Sequence, residues 1–188
     1  SFGQKILKIF RVHKRSLIIE LICVHLLHKE NGLQNLKKNK TNKKFVYLIS
    51  PNKIEKDNFF KDLNSLLKTK KIKFFQLRLK KETNKNKLLI GKKIKKICRK
   101  YGVKFLVNDD PILAKKLNAD GCHLGQKDMN IIKARKIVGN KIIGITCHNS
   151  IKLAKSAIKQ GANYLAFGAF YSSKTKKIKY KASLKILR

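Results

Sequence analysis

With 188 residues and 43% hydrophobic content, the chain can bury a core without staples, which excludes a disordered protein. Its four cysteines (Cys23, Cys98, Cys122, Cys147) show neither CxxC nor metal-type spacing, and no apolar run nears the ~20 residues of a bilayer span, so a disulfide framework, a zinc ribbon and a membrane protein are not expected. The 47 basic against 10 acidic residues give +37, but only six of the 47 are arginine, and the lysines are scattered along the chain together with over-used isoleucine and asparagine; compositional drift explains this better than a dedicated nucleic-acid site, with weak polyanion binding either way.

Residues 1–44 read as a Lys-rich N-terminal extension. Its apolar stretch, SLIIELICVHLL at 16–27, is broken by Glu20 and His25 and lacks a small-residue cleavage site, so it is expected as an amphipathic or buried helix rather than a signal peptide. The absence of a starting methionine suggests a fragment or a processed product.

From residue 45 a rhythm sets in. Short runs rich in Val, Ile and Phe occupy 45–50, 73–79, 104–109, 121–125, 141–148 and 164–170. Between them, 55–69, 84–101, 111–119, 129–138 and 150–160 carry apolar residues at helical spacing, and a sixth helix is expected from Ala182. Gly102, Gly121, Gly139 and Gly161 fall where helices should stop. This alternation means βαβ units and a parallel sheet, either open and doubly wound or part of a barrel.

Polar residues foreign to buried strands gather at the strands' C-terminal ends, the face that carries active sites in parallel α/β proteins. Gln76, Arg78 and Lys80 alternate along one strand and so share a side, an array suited to a diphosphate. Asn108 and Asp109 close the next strand, Gln126 and Asp128 follow the fourth, and Thr146 and His148 end the fifth. Asp109 and Asp128, on adjacent strands in a chain poor in acids, could hold one Mg²⁺. Asp110, followed by Pro111, reads as a helix N-cap and Asp120 as structural. His123 is open between a core histidine and a site wall, while Cys122 and Cys147 read as core. YSSKTKK, at 171–177, offers hydroxyls and lysine near a helix start, a phosphate cradle with Ser173, Thr175 and Lys176.

FFQLRLK (74–80), FLVNDD (105–110), ADGCHLGQKD (119–128), GITCH (144–148) and GANYLAFGAFYSSKTKK (161–177) stand in the order and spacing of the thiamine-phosphate synthase family, which residues 45–188 resemble. The resemblance implies a (β/α)8 TIM barrel, here cut after the sixth strand. It implies Mg²⁺-dependent transfer of the 4-amino-2-methylpyrimidinylmethyl group from its diphosphate to a thiazole phosphate, with release of diphosphate. Gln76, Arg78 and Lys80 would bind the pyrimidine diphosphate, Asn108, Thr146 and Lys176 would add contacts, and Asp109 and Asp128 would hold the metal. Arg78, Lys80 and Lys176 would carry the catalytic charge. Ser173 and Thr175 resemble the pair that meets the thiazole phosphate, with Ser173 where threonine is usual. The expected partners are small molecules in the cytoplasm, without specific nucleic acid or membrane, and homo-oligomers stay open. The alternatives are a thiazole tautomerase-like barrel isomerase and a basic nucleic-acid-binding protein.

Overall fold

The structure, a computed structural model, describes residues 8–13, 16–20, 23–26, 45–54, 58–170 and 181–187. Three strands come first: β1 (Lys8–His13), β2 (Ser16–Glu20) and β3 (Cys23–Leu26). Strands and helices then alternate as β4 (Val46–Ile49), α1 (Asn58–Lys68), β5 (Ile72–Leu77), α2 (Asn84–Lys100), β6 (Lys104–Asn108), α3 (Pro111–Lys116), β7 (Gly121–Leu124), α4 (Ile131–Val138), β8 (Ile142–His148), α5 (Ile151–Lys159) and β9 (Tyr164–Phe167). A 3₁₀ turn at Leu184–Leu187 stands where a sixth helix was expected.

Strands β4 to β9 pair in sequence order, every pair parallel. The apolar runs form these strands because a sheet covered on both faces leaves no place for polar alternation. The helices begin where the sequence supplies caps: Thr83, Asp110, Asn130 and Ser150 each accept from a backbone N–H in the first turn. Gly102, Gly139 and Gly161 take positive φ at helix ends. Gly121 does not: it opens β7, where an added Cβ would lie 1.9 Å from the Ile142 carbonyl oxygen, so its role is the close approach of β7 to β8.

The stretch at 16–27, expected as a helix, instead holds β2 and β3. β1 lies parallel on β4 with β2 antiparallel beside it, and β3 pairs antiparallel with β9 at the other edge. A short apolar run rich in isoleucine and valine reads equally as helix or strand, and the unpaired N–H and C=O groups of two sheet edges decide for strand.

Two apolar layers flank the parallel sheet. One lies between sheet and helices and includes Leu63, Phe75, Leu77, Ile94, Phe105, Cys122, Leu124, Ile143 and Cys147. The other lies on the inner face, where Tyr47, Ile49, Leu106, Tyr164 and Ala166 meet. The Tyr47 and Tyr164 hydroxyls are 2.8 Å apart although β4 and β9 are separated by five strand spacings. A flat sheet would put those strands about 24 Å apart. The six strands therefore curl into a half-barrel around the inner cluster.

Gly144 permits that closure, since an added Cβ would sit 1.8 Å from the Tyr164 ring. Gly144→Ala is expected to displace the ring and cost at least about 1–3 kcal/mol, the usual cost of overpacking, read as a lower urea midpoint at unchanged m-value. Arg135 fastens the sheet's opposite end, with guanidinium bonds to the carbonyls of Gly139, Lys141 and Gly161 and to Asn163 Oδ1. Asp120 does the same there, accepting from the Phe105 N–H at 2.9 Å and Lys104 Nζ at 3.1 Å.

Candidate functional site

β5 delivers its alternate residues to the mouth of the half-barrel at increasing height. Gln76, only 3% exposed, sits inside and donates from Nε2 to Asn108 Oδ1 at 2.8 Å. Arg78 is half-buried at the rim, and Lys80 beyond it is exposed. Phe75, Leu77 and Leu79, on the other side, are buried. The three polar residues therefore descend from open rim to dry interior.

Arg78 is held from two directions. Its backbone N–H donates to Ser50 Oγ at 2.7 Å, and its guanidinium donates to Asn52 Oδ1 at 2.6 Å. Ser50 is fully buried although polar, a position explained by this bond. Both residues lie in the turn after β4 and were not foreseen from the sequence; the available signal was a lone serine closing an apolar strand before Pro51-Asn52.

Asp109 follows β6 with φ of +64°, a left-handed conformation uncommon outside glycine but tolerated by aspartate. Its N–H donates to the His123 carbonyl at 2.8 Å, and its carboxylate lies 3.0 Å from Lys80 Nζ. The turn thereby aims the carboxylate into the mouth. Asp128 folds back so that Oδ2 accepts from the Gly125 N–H at 2.7 Å; a Cβ on residue 125 would crowd that oxygen at 3.0 Å. The Asp128 carboxyl is raised above the usual carboxylate range, mainly by burial. The Gly125 N–H opposes the rise; a side-chain hydrogen bond with Asp109 and that residue's charge add to it, and the Lys80 charge opposes it. The two acids thus meet across β6 and β7, with a lysine beside them.

These residues fit a magnesium ion. The donors are carboxylate oxygens, two are brought into contact, and their mutual repulsion calls for a cation. Among the described residues no third His, Cys, Asp or Glu joins them. Asp110 is not part of the pair: its Oδ1 caps α3 through the Leu113 N–H at 2.9 Å.

Deeper in the mouth, His123 is bonded on both ring nitrogens, Nδ1 to the Tyr164 hydroxyl at 2.7 Å and Nε2 to Thr146 Oγ1 at 2.9 Å. The Thr146 carbonyl in turn accepts from Gln126 Nε2 at 2.5 Å. His123 therefore lines the inner wall rather than the helix layer, and Tyr47 and Tyr164 join it there. Burial lowers its pKa from 6.5 to about 4, helped by the Arg78 charge and opposed by that of Asp109. A lowered histidine pKa means that the unfolded chain binds more protons between pH 6.5 and 4, so stability falls as pH drops through that window. The loss is expected to reach at most about 3 kcal/mol. Tm against pH should steepen there in the wild type and flatten in His123→Gln.

Ser173, Thr175 and Lys176 lie outside the described residues. The other sequence-derived candidates, Gln76, Arg78, Lys80, Asn108, Asp109, Asp128 and Thr146, all stand at the C-terminal ends of β5 to β8. Among the described residues, no helix is long and apolar enough to cross a membrane.

A family model described as thiamine monophosphate synthase matches residues 46–188. The thiamine-phosphate synthase of Pelagibacter ubique (strain HTCC1062) is 74% identical over 153 residues, which is 81% of this chain and 74% of that protein. That of Marinobacter nauticus is 46% identical over 102 residues, covering 54% of this chain and 46% of its own length. The solved structure of a thiamine phosphate pyrophosphorylase from Pyrococcus furiosus superposes with a TM-score of 0.61 at 30% identity, over 68% of this chain and 61% of that one. The chain thus spans about three-quarters of one relative and less than half of the other.

Proposed function

Since the chain belongs to the thiamine monophosphate synthase family, we propose that its site joins 4-amino-5-hydroxymethyl-2-methylpyrimidine diphosphate to a thiazole phosphate, giving thiamine phosphate and free diphosphate. One observation carries the assignment to this rim: a positioned guanidinium and an ammonium stand on the same side as two carboxylates in contact, an arrangement matched to a magnesium diphosphate.

Bound there by Asp109 and Asp128, Mg²⁺ would supply positive charge against the diphosphate oxygens. The protein's own residues do the rest. Arg78 and Lys80 face the leaving group, whose negative charge grows as its C–O bond breaks, and charge placed there in advance lowers the barrier. Gln76 is assigned to the pyrimidine diphosphate, with Asn108, bonded to it at 2.8 Å, and Thr146 as further diphosphate contacts. The pyrimidine methylene cation left behind is captured by the thiazole nitrogen, so no side chain needs to form a covalent bond. Lys176 is assigned to the diphosphate, and Ser173 and Thr175 to the thiazole phosphate.

On this reading β4 to β9 are six of the eight strands of a (β/α)8 barrel, which the partial coverage of the relatives supports. A cytoplasmic location and small-molecule partners go with it. The test is diphosphate release from the two substrates with and without Mg²⁺. Release that requires both substrates and the metal supports the assignment. Turnover of a thiazole compound without diphosphate release would favour the isomerase reading and overturn it.

A further inference from the structure

Three hydrogen bonds link four hydroxyl or ring groups in a row. Tyr47 Oη meets Tyr164 Oη at 2.8 Å, Tyr164 Oη meets His123 Nδ1 at 2.7 Å, and His123 Nε2 meets Thr146 Oγ1 at 2.9 Å. With the imidazole neutral, the row contains four protons: one on each tyrosine, one on the ring and one on the threonine. Three links use three of them, so one O–H is left over: on Tyr47, on Thr146, or on Tyr164 if that hydroxyl accepts from both neighbours, and Tyr164 is only 1% exposed.

The ends are unlike. Tyr47 is 2% exposed, and among the described residues Tyr164 is its hydrogen-bond partner. Thr146 is part-buried at the mouth, near the C-terminal end of β8. An orphaned O–H in the dry interior carries its full desolvation penalty, whereas one at the mouth can reach water or a ligand. The direction follows: Tyr47 donates to Tyr164, Tyr164 donates to Nδ1, and Nε2–H donates to Thr146 Oγ1. The threonine proton is then free.

We infer that Tyr47 and Tyr164 are positioning residues which, through the Nε2–H tautomer of His123, hold the Thr146 hydroxyl as a hydrogen-bond donor for a phosphate oxygen entering the mouth. The identity of the anion as diphosphate rests on the function proposed above; the direction of the row does not. Gly144 leaves the space in which the Tyr164 ring lies, so the same glycine that lets the half-barrel close seats the relay.

The experiment is ¹⁵N NMR of histidine-labelled full chain, with calorimetry against magnesium diphosphate. In the wild type His123 should show a protonated Nε2 and an unprotonated Nδ1 that accepts a hydrogen bond. Tyr164→Phe, which keeps the ring over Gly144, should move the Nδ1 signal towards that of a lone pair without a donor. A protonated Nδ1 in the wild type, or an Nδ1 signal unmoved in Tyr164→Phe, overturns the inference. Thr146→Val should weaken diphosphate binding roughly tenfold, as for a lost hydrogen bond to a charged group, and Thr146→Ser should restore it. Equal binding by the valine and serine variants would also overturn it. If wild-type protein binds no diphosphate, the proposed function fails, and the nitrogen signals still decide the direction of the row.

Discussion

Arg78→Met is expected to lower kcat by about 10²–10³-fold while leaving Tm within a few degrees of the wild type, the loss typical of one preorganised electrostatic donor. The expectation comes from how the side chain is held. Ser50 Oγ fixes the Arg78 backbone N–H and Asn52 Oδ1 takes one guanidinium N–H, so the group's orientation is set before substrate arrives. A donor already in place needs no reorganisation as charge develops on the leaving group, which is why its removal should fall on kcat rather than on KM alone. Arg78→Lys should rescue only in part, because a single ammonium cannot reproduce the planar fork that grips two oxygens. Asn52→Ala should give a smaller defect of about tenfold by loosening the guanidinium without removing it. Steady-state kinetics at saturating substrate provide the check. A kcat for Arg78→Met within threefold of the wild type would exclude a role at the leaving group.

The parallel sheet was legible because its strands are covered on both faces, while a barrel rather than an open sheet came from the family resemblance alone. FVYLIS is apolar up to its closing serine and KFLVND carries an apolar Phe-Leu-Val centre, and β4 and β6 lie within them. The alternation of Gln76, Arg78 and Lys80 was equally readable, since period two alone sends them to one side. What escaped is what depends on distant partners. Ser50 and Asn52 matter only through Arg78, 28 and 26 residues away, and Tyr47 bonds Tyr164 across 117 residues. No local pattern encodes such pairs, which arise when the sheet curls. The same holds for residues 16–27: their apolar run fitted a helix as well as a strand, and the edges of the folded sheet made the choice. Gly121 was misread for a related reason, because a glycine at a helix end and one needed for strand approach look alike in sequence. His123 stood open until its two nitrogens were seen to be engaged on the inner face.

The acid pair gives the second large effect. Asp109→Asn and Asp128→Asn are each expected to cut Mg²⁺-dependent turnover at least about 10²-fold, through loss of the charge the metal brings to the leaving group. The double variant should be little worse than either single one, because two carboxylates serving one ion act as a unit. Both substitutions are mild for the fold. Asparagine tolerates the left-handed backbone at position 109, and an amide oxygen at 128 can still accept from the Gly125 N–H. The Lys80–Asp109 pair is solvent-exposed, so its loss costs little. The sign of the stability effect without metal separates a binding pair from a structural one. The folded-state pKa of Asp128 is raised, so its stability contribution is full below the usual carboxylate range and is lost as pH rises through the raised value. Where both acids are ionised, the metal-free wild type bears the burial cost of the Asp128 charge and its repulsion by Asp109, both of which Asp128→Asn removes, so above that window the variant's Tm should equal or exceed that of the wild type. Added Mg²⁺ should raise the wild-type Tm by mass action and leave both variants unmoved. An equal Mg²⁺-induced rise in the double variant would place the ion elsewhere and remove the basis for assigning these two acids to it.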